Sequence, residues 1–482
     1  MNIEEEKKDG ECSICGKEAS LRCGACKQVF YCDKAHQRED WKRHKSHCTR
    51  PWEVRENEEL GKHLVASRDL RPGEIVICEP PLIWGPALHS DLRSCVGCGK
   101  ASSEARCELC MWPACSHDCA GLLDKNRHGA ECAFLLATKV IPRCDVLLVI
   151  RLLILWRTKS KKWAVLSSFE SHEESRGPGT EAYDETQNII NHLGPIASID
   201  PTIRDMIGKI CGMIDVNAVE SLPDGTVAFY ETACLLEHSC LPNTRHSFSL
   251  DEKGRPRITV KTTSDIEKGD HLTTMYTHAL WSTRVRREHL RATKYFLCKC
   301  ARCADPTELG THLSSLKCPC KDGSILPKDP LNFDTEWCCD RCPGVLSSVE
   351  VAQLTDRLEE EVEEASKLAR KEVFSDLLSR LSCLLHRNHQ HCIAVGHSLI
   401  QLLAPDEPMK AELCKGILEV VDKLDPQGAR LALYTAIALR ELSKCPGEDR
   451  QSLLTRAMLL LKPEPANSPG GKLLKLIEME LC

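Results

Sequence analysis

A chain of 482 residues is too long for a single hydrophobic core and predicts three or four domains, which its 42% apolar content can bury. A net charge of −6 with 28% charged residues excludes a global basic field for nucleic acid, and 5% aromatic residues argue against single-strand binding. The outlier is cysteine, 31 in all, which implies disulfides or metal. The opening Met1–Glu6 is acidic and has no apolar core, so no signal peptide is expected. The longest apolar run, Val146 to Trp156, is broken by Arg151 and is too short to span a bilayer, so no membrane partner is expected. A reducing compartment, nucleus and cytoplasm, fits these features, and there clustered thiols read as zinc ligands.

The first fifty residues carry soft ligands in close pairs: Cys12 and Cys15, Cys23 and Cys26, Cys32 and His36, His44 and Cys48. That is the inventory of two tetrahedral zinc sites. So short a module has too little apolar surface to fold alone, and metal binding supplies much of its folding free energy. The spacing from Cys23 and Cys26 to Tyr31-Cys32, with a helix around Trp41 and His44, resembles the MYND zinc finger. By that resemblance the pairs alternate between metals. Cys12, Cys15, Cys32 and His36 share one zinc, and Cys23, Cys26, His44 and Cys48 the other. The resemblance implies a module that docks peptides of co-regulator proteins, and no arginine-rich recognition helix argues for sequence-specific DNA reading.

After Pro51, the runs Leu60 to Ala66 and Ile75 to Ile77, joined through Arg71-Pro72-Gly73-Glu74, predict a hairpin. It resembles the opening of a SET domain, where glycines bring bare backbone against the cofactor. Gly61, Lys62 and His63 hold the corresponding positions. His63 stands where the family usually has a second glycine, so strain in the turn is expected. Cysteines then return in the same order: Cys95 and Cys98, Cys107 and Cys110, Cys115 and Cys119, His128 and Cys132. A MYND finger inserted in a SET domain is the hallmark of the SMYD family. By resemblance Cys95, Cys98, Cys115 and Cys119 share one zinc, and Cys107, Cys110, His128 and Cys132 the next. The following stretch is apolar at helical spacing (Leu135, Leu136, Val140; Ile189, Ile190, Leu193), interrupted by a polar loop from Ser167 to Glu185. It resembles the family's helical insertion.

The run Cys234-Leu235-Leu236-Glu237-His238-Ser239-Cys240-Leu241-Pro242-Asn243, followed by Gly269-Asp270 and Tyr276, resembles the SET signature that knots around S-adenosylmethionine. Methyl transfer needs a neutral lysine amine held in line with the sulfonium methyl, so positioning does most of the work. Tyr276 holds the position of the family's catalytic tyrosine. Tyr295 resembles the second channel tyrosine with one residue of slip, the strictly aligned position being Lys294. Asn217, His238 and Phe296 match further cofactor contacts. Glu237 replaces an asparagine that accepts from the amino group of the cofactor's methionine end. A glutamate also accepts, and can pair with the ammonium, but it is longer and repels the cofactor's carboxylate. A strained bond of roughly 1–3 kcal/mol corresponds to on the order of tenfold to a hundredfold in affinity.

Cys298, Cys300 and Cys303 resemble the post-SET motif and, with Cys240, complete a fifth zinc site. Cys318, Cys320, Cys339 and Cys342 suggest a sixth, ribbon-like one, with Cys338 spare beside it. From Val349 apolar residues recur at steps of three and four through successive helices to Leu481, similar to the family's TPR-like domain.

The expected fold is α+β and multidomain: an N-terminal finger (1–50), a first SET part (51–94), the inserted finger (95–132), a helical insertion (133–215), the SET core (216–290), a post-SET and ribbon region (291–345) and a helical TPR-like domain (346–482). His63, Glu237 and Lys294 look most like the arthropod SMYD-like SET proteins. The resemblance implies a protein-lysine N-methyltransferase acting on histone or non-histone protein and regulating gene expression. The alternative is a catalytically weak or inactive regulator that recruits partners through its fingers. A DNA-binding zinc protein would need a basic helix among the fingers.

Overall fold

The computed structural model describes residues 12–481 apart from 18, 20, 25, 27–28, 46–47, 89, 91–92, 103, 199–200, 251–254 and 465–467. The chain divides into two compact units. The first comprises Met1–Glu237, His246–Thr273 and Thr293–Tyr295, and the second His238–Arg245, Thr274–Ala292 and Phe296–Cys482. The backbone therefore leaves the first unit between Glu237 and His238, inside the signature run.

In the first unit, strand Trp52–Asn57 runs antiparallel to Gly61–Ala66, with Asn57 opposite Gly61 and Trp52 opposite Ala66. Its tight turn is an Asx turn: the Asn57 side-chain oxygen accepts from the amides of Glu59 and Leu60, and Gly61 takes φ +63°. This corrects the expected hairpin. Strand Ile75–Glu79 pairs instead with Pro256–Thr262, Ile258 facing Glu79. Trp52–Asn57 shows almost no apolar alternation because most of it is exposed, so the true partner strand carried little pattern to read. The Arg71 to Glu74 turn survives as a turn, with Gly73 at φ +86° donating to Thr262 O and the Glu74 amide donating to the Thr262 hydroxyl. Leu64, Leu70, Ile77, Ile258, Val260 and Leu272 fill the core beneath these strands. A second sheet sets Ile83–Pro86 and Val219–Ser221 on either side of Thr226–Phe229, all antiparallel.

The helical insertion packs helix Leu147–Arg157 against Pro201–Asn217 through Leu148, Leu152, Ile207 and Ile210, all fully buried. Helix Glu181–His192 begins inside the stretch expected to be loop. Thr180 caps it by accepting from the Tyr183 amide, and Ile189 and Ile190 then turn into the core. The preceding residues remain irregular but not idle, since Arg176 is buried among polar partners described below.

In the second unit, four short antiparallel strands (Leu316–Lys317, Ser324–Pro327, Trp337–Cys339, Val345–Leu346) form a ribbon. Helix Ser348–Leu368 follows, opened by a capping box between Ser347 and Glu350. Helices Lys371–Leu384, Gln390–Leu399, Pro408–Leu424, Ala432–Leu442, Arg450–Leu461 and Pro469–Leu481 stack in sequence order over two successive apolar clusters. Among the described residues no helix is long and apolar enough to cross a membrane.

Candidate functional site

The cysteine pairs fold into groups with metal-ligand geometry. Cys12, Cys15, Cys32 and His36 converge, as do Cys23, Cys26, His44 and Cys48, with the ligand atoms of each set within 4.8 Å of one another. Representative separations are 3.7 Å for Cys15–Cys32, 3.0 Å for Cys32–His36 Nδ1, 3.4 Å for Cys23–Cys48 and 3.3 Å for Cys26–His44 Nε2. The inserted finger repeats the arrangement: Cys95–Cys119 at 3.8 Å, Cys98–Cys115 at 3.6 Å, Cys107–Cys132 at 3.7 Å and Cys110–His128 Nε2 at 3.4 Å. Such separations are edges of a tetrahedron around a metal bonded at about 2.3 Å to sulfur, and far exceed a disulfide's ~2.05 Å. The described cysteines are all free thiols, so the donor set fits zinc.

Buried charges orient one of these ligands. His128 turns Nδ1 to the Glu131 carboxylate at 3.0 Å, and Arg151 clamps that carboxylate from 2.6 and 2.9 Å while donating to the carbonyls of Trp84 and Val96. Burial opposes ionisation of Glu131, but Arg151 and His128 outweigh it and hold the carboxyl below its usual range.

Among the expected cofactor residues of the first unit, His63 is the first departure from expectation. Its backbone is not in the left-handed region; the positive φ falls on Gly61, so the expected strain at His63 is absent. The ring is buried, sets Nδ1 3.0 Å from Gly61 O and stacks on His271 at 4.8 Å with planes 16° apart. Lys62 is exposed on the same strand opposite Glu56. Glu237 pairs through Oε1 with His271 Nδ1 at 2.9 Å, while its Oε2 is buried with no hydrogen-bond partner. Asn217 donates its side-chain amide to the carbonyls of Glu170 (2.7 Å) and Met213 (3.0 Å). Lys294, where a tyrosine was expected, donates to the carbonyls of Asp215 and Val216 at 2.9 and 2.8 Å, closing the C-terminal end of helix Pro201–Asn217. Burial lowers its pKa. Tyr295 sits at φ +60°, accepts from Arg176 at 3.2 Å and lies over His172, and Arg176 also grips the Asp215 carboxylate at 2.6 Å.

In the second unit the Tyr276 amide donates to His238 Nδ1 at 3.0 Å, and the His238 ring lies 5.3 Å from Tyr276 and 5.9 Å from Phe296. Burial pushes the His238 imidazole down to about 4, so the ring is neutral and free to accept that amide. Phe296 is 37% exposed. Two residues on from His238, Cys240 meets Cys298, Cys300 and Cys303 in a fifth ligand group, Cys240–Cys303 being 3.5 Å. Arg286, fully buried, donates to the sulfurs of Cys240 (3.2 Å) and Cys303 (3.5 Å) and to Glu308. The ribbon brings Cys318 within 3.5 Å of Cys342 and Cys320 within 3.8 Å of Cys339.

The MYND finger family matches residues 12–48 and the SET domain family residues 61–277. The chain is 30% identical over 334 residues to the SET domain-containing protein SmydA-8, isoform B, of Drosophila melanogaster, an alignment covering 63% of this chain and 69% of that protein. The chain belongs to the SMYD family. Other relatives are the histone-lysine N-methyltransferase ASHR1 of Arabidopsis thaliana, 24% identical over 76% of this chain and 81% of that one, and the N-lysine methyltransferase SMYD2 of Rattus norvegicus, 24% identical over 61% and 50%. Among solved structures, the SET domain of LSMT bound to lysine and AdoHcy covers 92% of each chain at 13% identity with a TM-score of 0.30, too distant a likeness to bear on the site. For a SMYD chain the residues that sequence reasoning missed are the partners rather than the ligands: His271, Arg176, Glu131 and Arg286. Only Arg151 left a signal, as a charge inside an otherwise apolar run.

Proposed function

We propose that this SMYD chain is an S-adenosylmethionine-dependent protein-lysine N-methyltransferase. The observation that carries the reading is the Tyr276 setting: its backbone is pinned to a neutral His238 that adjoins the thiol group of Cys240, Cys298, Cys300 and Cys303. When bound, S-adenosylmethionine would supply an already activated methyl group for the lysine nitrogen. The chain's work is to bind, orient and exclude water. Tyr276 orients the incoming amine, which must lose its proton first, and burial of a lysine side chain favours that neutral form. Phe296 offers an exposed aromatic face for the adenine. Glu237 Oε2, buried and without a donor, suits the ammonium of the cofactor's amino-acid end. Tyr295, Asn217, Gly61, Lys62 and His63 remain cofactor or channel residues on the strength of the resemblance alone.

The same reading assigns zinc to the five cysteine-rich groups and to the ribbon thiols Cys318, Cys320, Cys339 and Cys342, and places the chain in nucleus and cytoplasm with a role in gene regulation. The first finger would take co-regulator peptides; its Trp41 is 42% exposed. A regulator without catalysis is the second reading, favoured by the engagement of Glu237 with His271.

The test is methyl transfer from labelled S-adenosylmethionine to a panel of lysine-containing histone and non-histone peptides. The zinc-loaded chain is expected to label at least one peptide, and Tyr276→Phe to lower the rate by about a hundredfold while leaving cofactor affinity within about threefold. Labelling unchanged in Tyr276→Phe would remove that residue from the reaction.

A further inference from the structure

Two of this chain's departures from the SET pattern, His63 and Glu237, are not independent. Both touch His271, a residue outside the signature positions. Glu237 Oε1 accepts from His271 Nδ1 (2.9 Å), and the His271 ring is stacked on His63 at 4.8 Å. His63 is itself fixed, buried at 3% exposure with Nδ1 at Gly61 O, while Gly61 makes the positive-φ turn of the same strand. The strand carrying His63 and the segment carrying His271 are joined by backbone bonds at Val65 and Leu64, so the stack has a rigid base.

Asymmetry at the carboxylate is the informative feature. One oxygen of Glu237 is bound, and the other is buried with no donor. A buried acceptor left unmade is costly, and a donor brought by a ligand would remove that cost. An asparagine at this position presents its acceptor without a charge. A glutamate is one methylene longer and must be drawn back and held by one oxygen for the other to stand at a defined place. His271 supplies that hold, from a side chain still 42% exposed, and His63 supports the ring that supplies it.

We infer that His271 is a positioning residue for the cofactor: it anchors Glu237 by Oε1 so that Oε2 accepts from the α-ammonium of S-adenosylmethionine, with His63 stacked behind it as a brace. The inference rests on the proposed methyltransferase reading and deepens it. Glu237 and His271 together replace the single asparagine of the family pattern, and His63 replaces the glycine because the brace needs a ring there. The cofactor class implied is any adenosyl sulfonium or thioether that retains the amino-acid end.

The test is a calorimetric double-mutant cycle on the zinc-loaded full chain, using S-adenosylmethionine and, as the second ligand, 5′-methylthioadenosine, which lacks the amino-acid end. His271→Ala is expected to weaken S-adenosylmethionine by about tenfold or more in the parent, and by less than about twofold in the Glu237→Asn background, where nothing longer than asparagine needs holding. His271→Gln, which keeps a donor, is expected to retain the affinity within about threefold. Methylthioadenosine is expected to bind equally to parent and His271→Ala. Equal losses in both backgrounds, or parallel losses for methylthioadenosine, would make His271 a merely structural residue and overturn the inference. So would an unchanged affinity in His271→Ala. A parent that binds methylthioadenosine but not S-adenosylmethionine would overturn it too, whereas a parent that binds neither fails the methyltransferase reading itself.

Discussion

The two fingers carry four ligand pairs in the same order and gather them alike, differing in one ligand, His36 against Cys119, yet they are built into the protein differently. In the inserted finger, Val96 and Trp112 belong to the large apolar core of the helical insertion, and Arg151 of helix Leu147–Arg157 reaches the finger's Glu131. In the N-terminal finger the buried cluster is its own: Cys23, Cys26 and Tyr31, with Leu21, Val29 and Cys48 against them. Its buried polar contacts are also local, Tyr31 donating to Asp40 at 2.8 Å and Arg43 to the same carboxylate at 3.0 Å. Similar ligand groups are therefore supported in two different ways. The inserted finger shares the core of the helical insertion, and the N-terminal finger has a buried cluster of its own.

The largest test of this contrast is ligand replacement. Cys107→Ser is expected to lower the main calorimetric transition by about 10 °C or to prevent folding, because the finger it breaks is packed into the core. Cys23→Ser is expected to leave that transition within about 2 °C and to unfold the N-terminal finger alone, seen as fast amide exchange confined to residues 12–48. Equal effects of the two changes would break the comparison.

A smaller effect is expected at the weld. Arg151→Met strands Glu131 as a buried charge and leaves the Trp84 and Val96 carbonyls without that donor, for a loss of about 3–5 kcal/mol in urea unfolding. A loss under about 1 kcal/mol would show that the arginine is not what joins finger to core. The smallest is Tyr31→Phe in the N-terminal finger, which removes one of the donors to Asp40. It should cost about 1–2 kcal/mol, read as weaker zinc retention by that finger with the main transition unmoved.

How much of this was legible in the sequence divides along similar lines. The ligand sets could be read because metal coordination imposes short, rigid spacings, and the structure gathers those groups. The helical tail could be read because Leu354, Leu358 and Val362 repeat at helical steps. The hairpin failed because Trp52–Asn57 pairs with Gly61–Ala66 through backbone bonds while showing mostly exposed, polar side chains, and pairing of that kind leaves no periodic trace. The strain expected at His63 failed because the left-handed residue is Gly61, two positions earlier. His271 and Arg176 were invisible for a different reason: each acts on residues distant in sequence, Glu237 and Asp215, and no local pattern announces such a partnership. Arg151 was visible only as an anomaly. Its meaning required Glu131, which lies hidden between the ligands His128 and Cys132.

The central claim is that Glu237, held by His271, keeps the chain competent for its cofactor. It is tested most directly by calorimetric titration of the zinc-loaded parent with S-adenosylmethionine beside Glu237→Asn. Micromolar binding by the parent, within about tenfold of the variant, is the predicted result. Binding by Glu237→Asn with none by the parent would contradict it, showing that the glutamate closes the pocket and leaving the fingers as the chain's working surfaces.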